Sequence, residues 1–318
     1  MSRHLIFIDP LEKLVTKKDS SLLLAHTLKQ SGVEVYLLFE SDFSYTNGSW
    51  PLLKVWDFDS DLDEKTQYLK SFEATHEQSV TLKQSDTFHF RLDPPFDSRY
   101  LRILWMLRAF EERGLKVVNS ARGLLLYNEK ILAYEHASAL STLVTSDAAT
   151  FSKFAKKCRD QGARALILKP LDLFQGIGVE KVELDNLESA ASAFKKKVTN
   201  LGGALVVQPF SEQVYQGELR SLYFAGEELG TIIKVPPKGQ FLANIAQGAS
   251  YHAVELTPTQ KTACDEVAQS LMKDGVPWVA FDILGESLSE VNITCPGLLV
   301  EVSSALKRNL ALDIIKAL

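Results

Sequence analysis

The constraint that most narrows the fold lies at the N-terminus. Leu5-Ile-Phe-Ile8 is an apolar run, and Lys18-Asp19-Ser20-Ser21 then offers side-chain oxygens suited to a helix N-cap ahead of Leu22, Leu23, Ala25, His26 and Leu28. Gly32 is placed to end that helix, and residues 33–39 are a second apolar run. Strand, capped helix, glycine and strand make a βαβ unit, whose crossover needs a parallel sheet covered by helices. The chain is therefore expected to open on a Rossmann-like unit. No G-x-G-x-x-G follows the first run, so dinucleotide binding at the helix terminus has no support.

Further along, Asn47-Gly48 between Tyr45 and Trp50 predicts a tight hairpin turn, and the acidic, polar residues 57–84 look the least structured. Phe88-His-Phe-Arg91 is strand-like, and Asp93-Pro-Pro-Phe-Asp97 must break it because neither proline donates a ladder hydrogen bond. Leu101, Leu104, Leu107 and Phe110 recur at helical spacing before Gly114 and a strand over 115–118. These repeats give an N-terminal Rossmann-like unit over 1–122. A helix over 128–139, strands over 165–169 and 179–182 and a helix over 187–198 outline a small α+β unit over 123–201. Residues 202–318 read as an antiparallel sheet, with strands over 205–210, 219–224, 229–235, 279–284 and 288–293 and helices on one side. The fold class is thus α/β and α+β together.

A chain of 318 residues with 46% hydrophobic side chains builds two or three cores without staples. With 35 basic against 40 acidic side chains, the net charge of -5 gives no basic field for nucleic acid or an anionic membrane, which points to small-molecule partners. Cys158, Cys264 and Cys295 are far apart and lack zinc spacing, so they read as reduced thiols in a cytoplasmic protein. The run before Asp9 is too short for a signal core, and no stretch has the apolar length of a membrane span.

The segment Val279-Ala-Phe-Asp-Ile-Leu-Gly-Glu-Ser-Leu-Ser-Glu-Val-Asn-Ile carries the sharpest chemical signal. Two strand-like runs meet at Gly285-Glu-Ser287, and a three-residue turn centred on Glu286 puts Asp282 opposite Glu290. Asn292, two residues on, shares the face of Glu290. Two carboxylates and an amide oxygen are hard ligands suited to magnesium. Carboxylates ~5 Å apart repel by roughly 3 kcal/mol at an effective dielectric constant near 20, and a divalent cation removes that cost. The competing reading, a solvated sheet face, fits poorly with the apolar neighbours Ala280, Phe281, Ile283, Val291 and Ile293. No Walker A sequence supplies phosphate grips; Lys130 and Lys169 are placed to do so, although each alone reads as a surface group. Gly176 and Gly178, in the loop after Lys169, can let backbone N–H groups approach a phosphate.

Ile8-Asp-Pro10, Lys17-Lys-Asp-Ser-Ser21, Arg91 with Asp93-Pro-Pro-Phe-Asp97, Asn128-Glu-Lys130, Lys169-Pro-Leu-Asp172 and Asp282 with Glu290-Val-Asn292 appear in the order, and at spacing similar to that, of one known family. The chain resembles, over nearly its whole length, the bacterial glutathione synthetase family of the ATP-grasp superfamily. The resemblance implies an ATP-grasp fold behind a Rossmann-like N-terminal domain, with ATP clasped between two antiparallel sheets. It implies that Lys130, Lys169 and Gly176 contact ATP phosphates, that Gln208, Phe210 and Ser211 meet adenine, and that Glu218 faces the ribose. Arg91, Lys234 and Asn244 fall at substrate-binding positions, and Asp282, Glu290 and Asn292 at ligands of two magnesium ions, for which manganese can stand in. Arg220 falls at the catalytic cation that stabilises the transferring phosphoryl group; without the resemblance it reads as a strand-surface ion pair. The implied reaction forms an acylphosphate that an amine displaces, joining γ-glutamylcysteine to glycine in a homo-oligomer.

The sequence also departs from the family. Leu173, Phe174 and Gln175 replace a glycine-dense phosphate loop, and Lys234 stands before Val-Pro where the family has arginine. Residues 239–244 keep Asn244 but lack an arginine and a glycine pair, and Pro209 removes a donor from the adenine hinge. The alternatives are a ligase for a different amino acid or peptide, and a catalytically silent ATP-binding scaffold.

Overall fold

The computed structural model describes residues 2–173 and 176–318. The chain opens with β1 (His4–Ile8), α1 (Ser20–Gln30) and β2 (Val35–Phe39), and β1 and β2 pair in parallel. The expected cap is present: the Asp19 carboxylate accepts from the Ser21 and Leu22 N–H groups at 2.8 and 2.9 Å. β3 (Leu52–Leu62), β4 (Leu69–Thr81), β5 (Thr87–Arg91), α2 (Ser98–Glu111), β6 (Lys116–Val118) and α3 (Ala121–Leu126) complete a six-stranded sheet of order β4-β3-β2-β1-β5-β6. Strand order reverses at β1, so a crevice opens beyond the carboxyl ends of β1 and β5, where α/β sheets bind ligands.

Two expectations for this part need correction. Residues 57–84 contain most of a long antiparallel hairpin, β3 with β4. Its polarity reflects one solvated face; Leu53, Val55, Phe58, Leu69 and Phe72 line the buried one. Asn47-Gly48 does turn, with Gly48 at φ 73°, but within the long connection 40–51 between the antiparallel strands β2 and β3 and not as a tight two-residue hairpin. Tyr45 and Trp50 instead pack on the Phe110 ring, with centroids 5.3 and 5.7 Å away.

The short α4 (Glu129–Tyr134) replaces the longer helix expected over 128–139. β7 (Leu143–Thr145), α5 (Ala148–Asp160), β8 (Ala165–Pro170), β9 (Glu180–Glu183), α6 (Leu187–Leu201) and β10 (Leu205–Pro209) then form a four-stranded sheet of order β7-β10-β8-β9. Phe151 and Phe194 stack at 4.2 Å between α5 and α6 in its core. β10 was expected in the last unit; its ladders with β7 and β8 place it here.

β11 (Glu218–Phe224), β12 (Glu227–Val235), β13 (Ser250–Val254), α7 (Pro258–Lys273), β14 (Trp278–Leu284), β15 (Ser287–Asn292), α8 (Leu299–Leu306) and α9 (Ala311–Ala317) follow. The sheet is antiparallel, of order β13-β12-β11-β14-β15. Its helices are not on one side. Val267 and Leu271 of α7 pack with Tyr223, Phe281 and Ile283, whereas Val300 and Val302 of α8 pack with Leu222, Ile232 and Ala280 from the opposite pleat face. Both faces are therefore apolar along most of their length.

Asn119, just beyond β6, welds the first and last sheets together. Its amide donates to the Trp278 and Ile293 carbonyls at 2.7 Å each, and its oxygen accepts from the Trp278 N–H at 2.9 Å. All of this is buried, with Asn119 3% exposed. Replacing Asn119 with Leu strands three backbone groups at about 1–3 kcal/mol each, so the variant should lose about 3–5 kcal/mol of stability after partial relaxation. Urea unfolding of Asn119→Leu checks this; a loss below 1 kcal/mol contradicts the weld.

Candidate active site

The β14–β15 hairpin sets the centre of the site. Asp282 pairs with Glu290, and Ala280 with Asn292, as the sequence spacing requires. The route differs from the expected three-residue turn: Leu284 pairs with Ser287 around Gly285-Glu286, and a bulge after Asp282 restores the register. Gly285 takes φ 60° there. The bulge residue Ser289 donates to the Asp282 carbonyl at 3.2 Å and to Glu218 Oε1 at 3.3 Å.

On β11, Arg220 lies directly across from Asp282, and on β12, Lys234 lies across from Glu218. Arg220 grips Asp282 with both arms, Nε to Oδ1 at 2.9 Å and Nη2 to Oδ2 at 2.7 Å. Lys234 Nζ sits 2.8 Å from Asp282 Oδ1 and 2.9 Å from Glu218 Oε2. Asn292 Nδ2 donates to Asp282 Oδ2 at 3.1 Å. Burial opposes ionisation of Asp282, yet the Arg220 and Lys234 charges outweigh it and hold the carboxyl well below the usual carboxylate range.

The two lysines arrive from other elements. Asn128 caps α4 through its carboxamide oxygen and donates from Nδ2 to the Leu171 carbonyl at 3.1 Å. Glu129 accepts from the Ile293 N–H, the Thr294 N–H and the Thr294 hydroxyl at 2.7–2.8 Å. Burial, then the Glu290 charge, push its pKa up, against these three donors. So held, Lys130 places Nζ 3.0 Å from Glu290 Oε1 and 2.8 Å from the Leu173 carbonyl. The ammonium of Lys169, on β8, has no hydrogen-bond or ion-pair partner among the described residues. Burial lowers its pKa, while the fields of Glu290 and Glu218 act to raise it. A half-buried cation without a partner suits an anionic ligand.

At the hinge after β10, Gln208 is buried and donates to the Thr142 hydroxyl at 2.9 Å. Pro209 has no N–H, and that of Phe210 is committed to the Ala165 carbonyl at 2.9 Å. The Ser211 amide is thus the one left to a ligand among residues 209–211. The Phe210 ring carries Lys181 at 4.4 Å and the edges of Tyr215 and Phe241. Phe241 comes from the 236–249 loop, in which Asn244 caps a single turn by accepting from the Ala246 N–H. Gly176, at φ 78°, meets the same loop, where a Cβ would lie 3.4 Å from Leu242. Phe174 and Gln175 lie outside the described residues.

Arg91 stands apart from the cluster. Its guanidinium stacks 4.0 Å over the Trp278 ring and donates to Ser21 Oγ and the Pro296 carbonyl. Sequence reading missed Glu129, Ser289 and Asn128. Asn128 carried a signal as an N-cap residue, whereas Glu129 and Ser289 act on partners far along the chain.

The Lys169 environment makes a prediction. Its folded pKa lies below the unfolded 10.5, so the unfolded chain binds more protons between the two values and stability rises with pH there. Lys169→Met should abolish that alkaline rise, stabilise the free protein by about 1 kcal/mol and weaken ATP binding about 10–100-fold. Thermal melts from pH 8 to 10.5 with ATP titration test it; unchanged affinity contradicts the assignment.

Both parts of the chain match known proteins. Residues 3–124 match the prokaryotic glutathione synthetase N-terminal domain, and residues 129–307 match its ATP-grasp domain. The glutathione synthetase of Vibrio vulnificus (strain YJ016) is 29% identical over 94% of this chain and 92% of its own length. That of Parasynechococcus marenigrum (strain WH8102) is 30% identical over 97% of this chain and 96% of its own. The structure of a D-cycloserine synthetase superposes with a TM-score of 0.64 at 14% identity, covering 99% of each chain, and is a likeness of fold alone. No helix among the described residues is long and apolar enough to cross a membrane. With both of its parts matched in order, the chain belongs to the prokaryotic glutathione synthetase family, and it is an ADP-forming ligase of the ATP-grasp fold.

Proposed function

We propose that this ligase joins γ-glutamylcysteine to glycine through an acylphosphate. The observation that carries the reading is one sheet face on which Arg220, Lys234, Asp282, Glu290 and Asn292 converge, with Lys130 against it. Lys130 and Lys169 grip the triphosphate, and the Phe210 carbonyl and Ser211 amide receive adenine. Glu218, bonded to Lys234 and Ser289, takes the ribose.

The family uses a divalent metal. Among the described residues no group of three or more His, Cys, Asp or Glu side chains forms a cage. Asp282 and Glu290 paired across one hairpin, with the Asn292 amide on the same face, nevertheless fit magnesium. It is usually bound by one or two carboxylates with phosphate oxygens completing the shell. These three residues would hold it, and the ion would neutralise charge on the phosphoryl oxygens.

The cysteinyl carboxylate attacks the γ-phosphorus, ADP departs, and an acylphosphate forms. Arg220, a planar cation, spreads its N–H donors over the transferring phosphoryl oxygens. The glycine amine then attacks the acyl carbon, loses a proton, and the tetrahedral intermediate collapses with release of phosphate. The sheets around the clasp exclude water from the acylphosphate.

One observation favours a second reading. Lys234 stands at a family arginine position, and its ammonium is committed to Asp282 and Glu218, leaving no fork for a substrate carboxylate. This supports a ligase for a different amino acid or peptide.

Magnesium-dependent ADP release, with γ-glutamylcysteine and ATP, with and without glycine, separates the two. Glycine-dependent turnover, reduced at least about 1,000-fold by Asp282→Asn, is expected from loss of the carboxylate that would hold the metal and that positions Arg220. Turnover that needs another amine or carboxylate sinks the glutathione reading and supports the second.

A further inference from the structure

The hydroxyls of Tyr68, Tyr100, Tyr127 and Tyr223 each have a partner in the fold: Tyr251, the Leu92 carbonyl, Asp274 and Asp265 in turn. That of Tyr134 differs. It is buried, and it has no hydrogen-bond partner among the described residues. A phenol O–H shut away from water without an acceptor destabilises the fold that holds it, so its place in the structure calls for an acceptor.

The position of Tyr134 says what that acceptor is. Tyr134 follows Lys130 by four residues in α4, so the two side chains share one helix face. A helical side chain leans toward the N-terminus of its helix, which carries the phenol back over the turn of Lys130. The ring packs against the core cluster that contains Val291 of β15, and the Lys130 ammonium lies on Glu290 of the same strand. Glu290 also acts on the phenol: burial first, then the charge of this carboxylate, push the Tyr134 pKa up. The hydroxyl therefore keeps its proton, and beside the Lys130 cation it is an uncharged donor that an anion can accept from.

We propose that the Tyr134 hydroxyl is a further phosphate contact, donating to the polyphosphate chain of the nucleotide beside the Lys130 ammonium. The inference rests on the reading of Lys130 as a phosphate grip. The loop after Lys169 gives the contact its purpose. Leu173, Phe174 and Gln175 stand where a glycine-dense loop would bring backbone donors to the phosphates, and the Leu173 carbonyl is itself taken by Lys130. A side-chain donor on α4 offsets the shortage of glycine there.

Tyr134→Phe removes the oxygen and keeps the ring. Titration calorimetry with ATP and with adenosine in the presence of magnesium, beside thermal melts without nucleotide, reads its effect. The variant should bind ATP about 10-fold more weakly, as loss of a hydrogen bond to a charged group predicts. It should bind adenosine as the wild type does. Without nucleotide it should melt at or above the wild-type temperature, because an unpartnered hydroxyl stabilises nothing. Unchanged ATP affinity in the folded variant overturns the proposal. An equal loss for adenosine and ATP overturns it as well, by placing the hydroxyl at the base or ribose, and a lower melting temperature does so by revealing an acceptor within the fold. Failure of the wild type to bind ATP overturns the phosphate reading of Lys130 itself.

Discussion

Everything at the working face depends on the ion cluster around one carboxylate. Asp282 is 4% exposed and lies in the middle of a sheet, where an isolated charge is untenable. Removing one partner from a buried pair costs about 3–5 kcal/mol. The partners come from three other strands, so the same contacts that neutralise Asp282 also tie β11, β12 and β15 to β14. Glu218, Asp282 and Glu290 face Lys130, Lys169, Arg220 and Lys234, leaving the face one formal positive charge in excess. That balance is stable in the free protein and still attractive to a polyanion.

Much of this was legible because it is local. The cap at Asp19 and the opposition of Asp282 and Glu290 follow from short-range rules of helix start and strand alternation. Even the unforeseen bulge at Ser289 left the pairing intact, since a two-residue turn plus one extra residue equals a three-residue turn in register. The polar β3–β4 hairpin was illegible because a one-sided sheet contributes few apolar residues, and those few were diluted by charges on its wet face. The membership of β10 was illegible for another reason: a strand's neighbours are chosen by tertiary pairing, and its own residues carry no mark of which sheet they join. Asn119, and Glu129 within the Asn128-Glu-Lys130 run, gave no sign of their partners, because each satisfies backbone groups more than 150 residues away.

The chain's departures from its family concentrate at the loops facing the clasp. Phe210, Tyr215 and Phe241 make an aromatic knot between the hinge and the 236–249 loop, and Leu242 of the same loop meets Gly176 after β8. A glycine-dense phosphate loop relies on backbone donors alone; here the side chains of Phe210, Phe241 and Leu242 share the enclosure. The hinge is also sparing with its donors, since proline and the Ala165 contact leave the Ser211 amide as the one uncommitted N–H of residues 209–211. Under the proposed function, recognition of the nucleotide leans on charge at the phosphates more than on hydrogen bonds at the base.

The three residues Asn128, Glu129 and Lys130 have a mechanical meaning. Asn128 holds the segment after β8, Glu129 holds the end of β15, and Lys130 touches both Leu173 and Glu290. Together they form a short axle with one end against each of two sheets, the four-stranded and the five-stranded. Lys130 rides on the axle itself, while Lys169 rides on β8 of the four-stranded sheet. The distance between the two ammonium groups is therefore a built-in caliper of how those two sheets are set against each other.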